Sequence, residues 1–351
     1  MHGGAPAVYD SRRVRFNALE ETTMHAAPTA TPPSPALSDV AVPSSRTAAR
    51  VSAAAVALAA AVVALQPGGA QAQAARPNAV TSSAAVTGIT TFDADLDSSG
   101  GSFRWSGVIA SGSLSRQVSP EWTVGINVGY QYERWSFSSP AAFGGEAPWS
   151  TINRPSVGAN VRYQVQPDLG LFVSPQFEWD AETGASGGSQ NFGAVVGATK
   201  VFSPKLVLGL GAGIFRQIDE TKVFPFLIVN WQIDDKWRLS NPFQAGPAGG
   251  AGLELSYAID DNWELAGGGT YREYRFRLKD SGPNANGIGQ NQGIPLFARL
   301  TRKLGASGRL DLYAGAVVAG TLKVRDPNGN TLYSSDYNAS PFVALTLAGS
   351  F

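Results

Sequence analysis

The run WTVGINVGYQY, Trp122 to Tyr132, alternates without a break. Trp122, Val124, Ile126, Val128, Tyr130 and Tyr132 share one phase; Thr123, Gly125, Asn127, Gly129 and Gln131 share the other. Period two sustained over that length is a strand with one apolar face and one polar or small face. The pattern recurs. Leu171, Val173, Pro175, Phe177 and Trp179 oppose Gly170, Ser174, Gln176, Glu178 and Asp180, and Leu206, Leu208, Leu210, Ala212 and Ile214 oppose Gly209, Gly211 and Gly213. From Leu310 to Val324 the apolar set stays on even numbers.

The corners between these runs are of two kinds. Short ones read SPEW at 119, PDLG at 167, SPKL at 203, DDKW at 234, DDNW at 260 and ASGR at 306. They alternate with longer Gly, Pro and Asn-rich stretches: SPAAFGGEAPWSTIN, AETGASGGS, NPFQAGPAGG, KDSGPNANGIGQNQG and RDPNGNTLYSSDYN. Tight turn then long loop, repeated, describes an all-β, up-and-down antiparallel meander with two unlike ends. About 14 strands result, with weak ones at 86–96 and 236–242, and roughly 12 as the alternative, with 86–96 or 236–242 failing to span.

Alternation alone leaves open which face meets water. Three features place the apolar face outside, in lipid. Trp122 to Tyr132 extends ~36 Å, or roughly 27 Å of height at a 40° tilt, which matches a bilayer's apolar band. Trp122, Trp179, Trp231, Trp237 and Trp263 stand at strand ends, where an indole suits the headgroup boundary. The second face is rich in Gly, Asn, Gln and charge. Lipid tolerates no unpaired sheet edge, so such a sheet closes into a transmembrane β-barrel. The near-identical corners RQVSPEWTV, WQIDDKWRL and YAIDDNWEL are then periplasmic turns, each followed by the tryptophan that re-enters the interface.

The first part of the chain reads differently. Arg46 and Arg50 precede VSAAAVALAAAVVAL and a small-residue stretch, the order of a secretory signal peptide over 46–74, with cleavage after Ala72 or Ala74. Residues 1–45 are expected to be a disordered extension, or to precede a true start for which Val42 is an alternative initiator. Residues 75–101 follow as a periplasmic N-terminal segment, serving as a first strand or a lumen plug, and 102–351 as the barrel. Cleavage removes His2 and His25, and the chain has no cysteine. Disulfides and thiolate metal sites are thereby excluded, and a serine hydrolase would lack its usual base. The formal charge of +0 gives no electrostatic reason to expect nucleic acid.

The closing segment PFVALTLAGSF, with Val343, Leu345, Leu347 and Phe351 on one phase, resembles the C-terminal signal read by the barrel-assembly machinery of Gram-negative outer-membrane β-barrel proteins. Gly349 stands where that signal often carries an aromatic. The resemblance implies a porin-like barrel of the outer membrane, in contact with lipid and lipopolysaccharide and assembled through Phe351.

By strand phase, Arg162, Arg299 and Lys323 point inward, as do Glu178, Asp180, Glu254, Glu264 and Asp311. They form either a charge-selective constriction or an ion-pair network filling a closed interior. LGLGAGIF lacks the helix and Lys-Ser/Thr of a phosphate loop, so its glycines are read as leaving space. YREYRFRLKD shifts phase near Arg272 and Glu273, as a bulge would, and its cations are expected at an outer rim facing lipopolysaccharide phosphates. Asp219–Glu220 and Asp234–Asp235 are acid pairs, but no enzyme, cofactor or metal is expected. The function expected is passage of small polar solutes, with a non-conducting structural or surface-interaction barrel as the alternative and lipid or peptide hydrolysis as a distant third.

Overall fold

A tight corner needs something to satisfy the backbone N–H groups that turn away from the sheet, and here one acceptor side chain does so at each repeat. Asp234 Oδ1 accepts from the N–H groups of Lys236 and Trp237, both at 2.8 Å. Asp260 Oδ1 does the same for Asn262 and Trp263 at 2.7 and 2.8 Å. Ser119 Oγ serves Glu121 and Trp122 at 3.3 and 3.1 Å. The backbone closes each corner identically, with the N–H of Val118, Ile233 and Ile259 bonded to the carbonyl of Trp122, Trp237 and Trp263. These are Asx and Ser turns that bring the indole back at a fixed register.

The N–H groups of Trp237 and Lys236 hold the Asp234 carboxyl below the usual carboxylate range. A depressed folded pKa contributes stability above the unfolded value, and that contribution is lost as pH falls through the folded one. Asp234→Ala is therefore expected to lower the urea midpoint of vesicle-inserted protein at neutral pH. The deficit relative to the native chain should close as the pH drops below the carboxylate range.

The structure, a computed structural model, describes residues 80–97, 100–243, 246–249 and 251–351. The expected signal peptide and the segment before it lie outside the described residues. Among the described residues fourteen strands close on themselves. They begin with β1 (Val80–Thr91, resumed at Ala94–Asp95), β2 (Ser102–Gln117), β3 (Trp122–Ser138), β4 (Thr151–Gln166) and β5 (Leu169–Trp179, resumed at Ala181–Glu182). Next come β6 (Gln190–Ser203), β7 (Leu206–Gln217), β8 (Glu220–Gln232), β9 (Trp237–Ser240) and β10 (Gly252–Ala258). The last are β11 (Trp263–Thr270, resumed at Arg272–Arg277), β12 (Ile288–Leu304), β13 (Gly308–Arg325) and β14 (Thr331–Tyr337, resumed at Ser340–Ser350). Each pairs antiparallel with its neighbours, and β1 meets β14 from Ser83↔Ser350 to Thr91↔Phe342. Val80–Thr91 is thus a wall strand rather than a plug. Its outward positions Ala84, Gly88 and Thr90 are small, which is why its alternation is faint in sequence.

The apolar phase faces out. Trp122, Val124, Ile126, Val128 and Tyr130 are exposed while the residues between them are not. Trp179, Trp231, Trp237 and Trp263 are exposed as well, and Trp122 and Trp237 pack on Tyr163 and Tyr257 at 4.6 and 4.8 Å. Toward the loop end the polarity inverts. On β3, Arg134 and Ser136 are exposed outside while Glu133 and Trp135 are buried inside. The barrel rises out of hydrocarbon there, and its interior becomes an ordinary dry core of Phe103, Trp105, Trp135, Phe276, Leu322 and Val324.

Two local irregularities decide where later side chains point. Ala319 takes a left-handed φ of 49°, and the β12–β13 register shifts between Gln292 and Ile294. Inward positions on β13 consequently change from odd (Asp311, Tyr313, Val317) to even (Leu322, Val324). Lys323, expected to face inward, instead pairs with Gln290 and Ser334 on the opposite face, because the extra residue at the bulge reverses the phase. The stretch RDPNGNTLYSSDYN is mostly strand, with Thr331–Tyr337 paired to β13.

Candidate functional site: a divided lumen

Above Tyr271, β11 leaves β10 and crosses the barrel. Its tip bonds to β5 on the far side, with Arg277 paired parallel to Ala181 and the Arg277 N–H donating to the Asp180 carbonyl at 2.9 Å. The Lys279 N–H donates to Glu182 Oε2 at 3.1 Å. The even-numbered face of this tip packs on β2–β4: Phe276 meets Trp149 edge-on at 5.1 Å, and Arg154 lies over the Tyr274 ring at 4.2 Å. The odd-numbered face turns toward β7 and β8. Arg275 binds Asp219 and Glu220 at 2.8 and 2.9 Å, and Glu273 binds Lys222. The lumen is therefore split into a packed part under the β11 tip and an unfilled part beside β6–β8.

The break that the sequence placed near Arg272 is real, and falls at Tyr271. The outer-rim role expected for its cations does not hold for two of them. Arg272 is buried over the Trp105 ring and bonded to the Pro247 carbonyl, and Arg275 is buried in the ion pairs above. Lys279 is exposed. The reason is the inward crossing of β11, which no periodicity argument contains.

On the periplasmic half the expected charges converge. Arg299 on β12 is 4% exposed and grips Glu254 of β10 with two bonds, Nε to Oε2 at 3.0 Å and Nη2 to Oε1 at 2.5 Å. The same Nη2 reaches Glu264 of β11 at 2.8 Å, and Nη1 lies 3.5 Å from Asp311 of β13. Thr301 ties the group together, contacting Arg299 and donating to Asp311 at 2.6 Å. Arg309 adds a second cation at 3.1 Å from Asp311. Four adjacent strands thus place three carboxylates around one guanidinium, an arrangement that depends on each side chain having the inward phase. It borders a cavity of 430 Å³ whose lining includes Arg238, Asn241, Phe243, Lys303 and Arg309.

The loop after β9 forms the roof of this cavity. Asn241 fixes it: Oδ1 accepts from the Val229 N–H at 2.9 Å, and Nδ2 donates to the carbonyls of Leu227 and Gly252 at 3.0 and 2.9 Å. Phe243 then lies under the Arg309 guanidinium at 4.1 Å. Gly246 passes so close to β13 that a Cβ would come within 3.0 Å of Tyr313 Oη, so only glycine fits without displacement.

Other inward charges sit elsewhere. Arg162 is exposed at the periplasmic end of β4. Glu178 accepts from Gln176 at 2.7 Å, and Asp180 is buried and accepts from Asn191 at 2.6 Å. The buried Glu133–Arg154 pair at 2.8 Å was not legible as a site, although both residues occupy the inward phase of their strands. The lumen wall is also more apolar than its sequence suggests. Phe172, Val195, Phe215, Phe224, Phe226 and Ile228 share the inward phase with Gly193, Gly197, Gly209, Gly211 and Gly213 through paired register. The rings of Phe224 and Phe226 cover Gly213 and Gly211, which is how the glycines leave space. The signal lay in KVFPFLIV, where both phases are apolar.

Residues 192–348 match the model of a family described as a domain of unknown function, DUF6268. No curated protein matches the chain. Solved structures similar to it include the COG4313 outer membrane channel from Pseudomonas putida F1, at 12% identity over 82% of this chain and 100% of that one, TM-score 0.42. The P. putida toluene transporter TodX is similar at 11% identity over 78% and 90%, TM-score 0.39. The KdgM porin, solved with disordered oligogalacturonate, is similar at 10% identity over 76% and 99%, TM-score 0.31. The protein is an integral transmembrane β-barrel, as its closed strand order and exposed apolar belt require.

Proposed function

We propose that this barrel is a passive channel for small solutes, with a charge-lined chamber on its periplasmic side. The observation that supports this best is the 430 Å³ cavity beside the Arg299–Glu254–Glu264–Asp311 cluster, roofed by an inward-folded loop. Opposed charges across a water-accessible constriction set ion preference, and an inward loop narrows the path without filling it. Reconstitution into planar bilayers tests the proposal. Discrete steps are expected, and Glu254→Gln with Glu264→Gln should shift the reversal potential toward anion preference. Silence from a folded, heat-modifiable sample would leave the alternative, a non-conducting barrel. The observation favouring that alternative is the dry aromatic core that fills the loop-side lumen under the β11 tip.

No hydrolytic role is proposed. Asp219 and Glu220 are engaged with Arg275, and Asp234 is committed to its turn. Lipid contact follows from the exposed belt. Assembly through Val343, Leu345, Leu347 and Phe351, and lipopolysaccharide contact near Lys279, remain proposals of the same kind.

A further inference from the structure

We infer that the periplasmic chamber binds small hydroxylated carboxylic acids one at a time, with the carboxylate held by Arg238, Lys303 and Arg309. This rests on the channel reading above and names its substrate class. All three cations line the 430 Å³ cavity. They stand on three different strands, β9, β12 and β13, and the paired register gives them the same inward phase as the Arg299 cluster.

Their charge is left unbalanced by the protein itself. Among the described residues the Lys303 ammonium meets no carboxylate, and Arg238 donates only from Nε to Asn230 Oδ1 at 3.0 Å. Other cations at the same end are engaged: Lys205 lies 3.5 Å from Asp235, and Arg302 covers the Trp263 ring at 5.0 Å. Lys303 is moreover the direct cross-strand partner of Arg309. Like charges so placed repel, and an anion between them relieves the repulsion. Arg309 answers Asp311 through Nε, yet its Nη2 is buried without a hydrogen-bond partner.

Charge and size narrow the ligand. Around the chamber Glu254, Glu264 and Asp311 exceed Arg299 and Arg309 by one charge, and Arg238 with Lys303 turns the balance to one positive. One carboxylate neutralises that excess. A phosphate monoester carries about 1.5 to 2 negative charges near pH 7 and would leave the site negative. The planar Arg309 fork also matches the two oxygens of a carboxylate. Pro242 and Phe243 are the apolar lining residues, while Ser240, Ser256 and Thr301 offer hydroxyls. That lining suits a short acid with a hydroxyl of its own better than a hydrocarbon. A roofed space of 430 Å³ takes one such acid and not a polymer.

Calorimetric titration of the detergent-solubilised, heat-modifiable barrel with sodium lactate tests the site, with ionic strength held constant by sodium chloride. Saturable binding of one lactate per chain is expected. Lys303→Gln and Arg238→Gln should each weaken it about tenfold, the effect of losing one hydrogen bond to a charged group. Both side chains are exposed, so neither variant should disturb folding. Lys200→Gln, on the outer face of β6, should bind lactate as the native chain does. Tighter binding of sodium methyl phosphate than of lactate would overturn the carboxylate assignment. If planar bilayers show conductance steps while lactate binding is absent, or is unchanged in both variants, the site is overturned and the channel stands. Saturable, variant-sensitive binding without conductance steps would keep the site and overturn the channel.

Discussion

Arg299→Leu is expected to destabilise the folded barrel by about 3–5 kcal/mol, the usual penalty for stranding buried charge by removing its partner. Glu254 is itself buried and would face Glu264 without a cation, and buried Asp311 would keep only Arg309. Urea unfolding of vesicle-inserted protein, followed by the heat-modifiable band on gels, reads the change. The double variant Arg299→Leu/Glu254→Leu should recover part of the loss, because it removes one orphaned carboxylate and fills the space with hydrocarbon. Additive losses in that pair would mean the cluster is not the coupled unit described here.

Phe276→Ala is expected to cost about 3–5 kcal/mol as well, by a different cause. Phe276 is fully buried in the part of the barrel above the membrane, where water drives its packing as in a soluble core. It also holds the β11 tip against Trp149 and β4. The variant should therefore lose stability and widen the loop-side lumen together, visible as larger and noisier conductance steps. Destabilisation without any change in conductance would show that the core does not narrow the path.

The wall was legible and its interior only in part. Period two from Trp122 and the DDKW and DDNW corners carry their own physics, since alternation fixes the faces and one Asp Oδ1 fixes the turn. The Arg299 cluster followed from phase because β10 to β13 are regular over that depth. Lys323 did not, because the one-residue bulge at Ala319 reverses everything beyond it. The burial of Arg272 and Arg275 depends on β11 pairing with β5 across the lumen, a contact between residues 96 positions apart, Arg277 and Ala181, that leaves no periodic trace. Phe103, Trp105, Trp135 and Phe137 sit on the inward phase near the loop-side ends of β2 and β3, and that polarity inversion is written in the sequence of each strand past the belt.

The most direct test is a spin-label scan through single cysteines from 122 to 132 in reconstituted bilayers, comparing collision with oxygen and with a water-soluble nickel chelate. Even positions, including Ile126 and Val128, should favour oxygen, and odd ones, including Asn127 and Gly129, should not. A reversed phase, or no alternation at all, would contradict a sheet whose apolar side meets hydrocarbon.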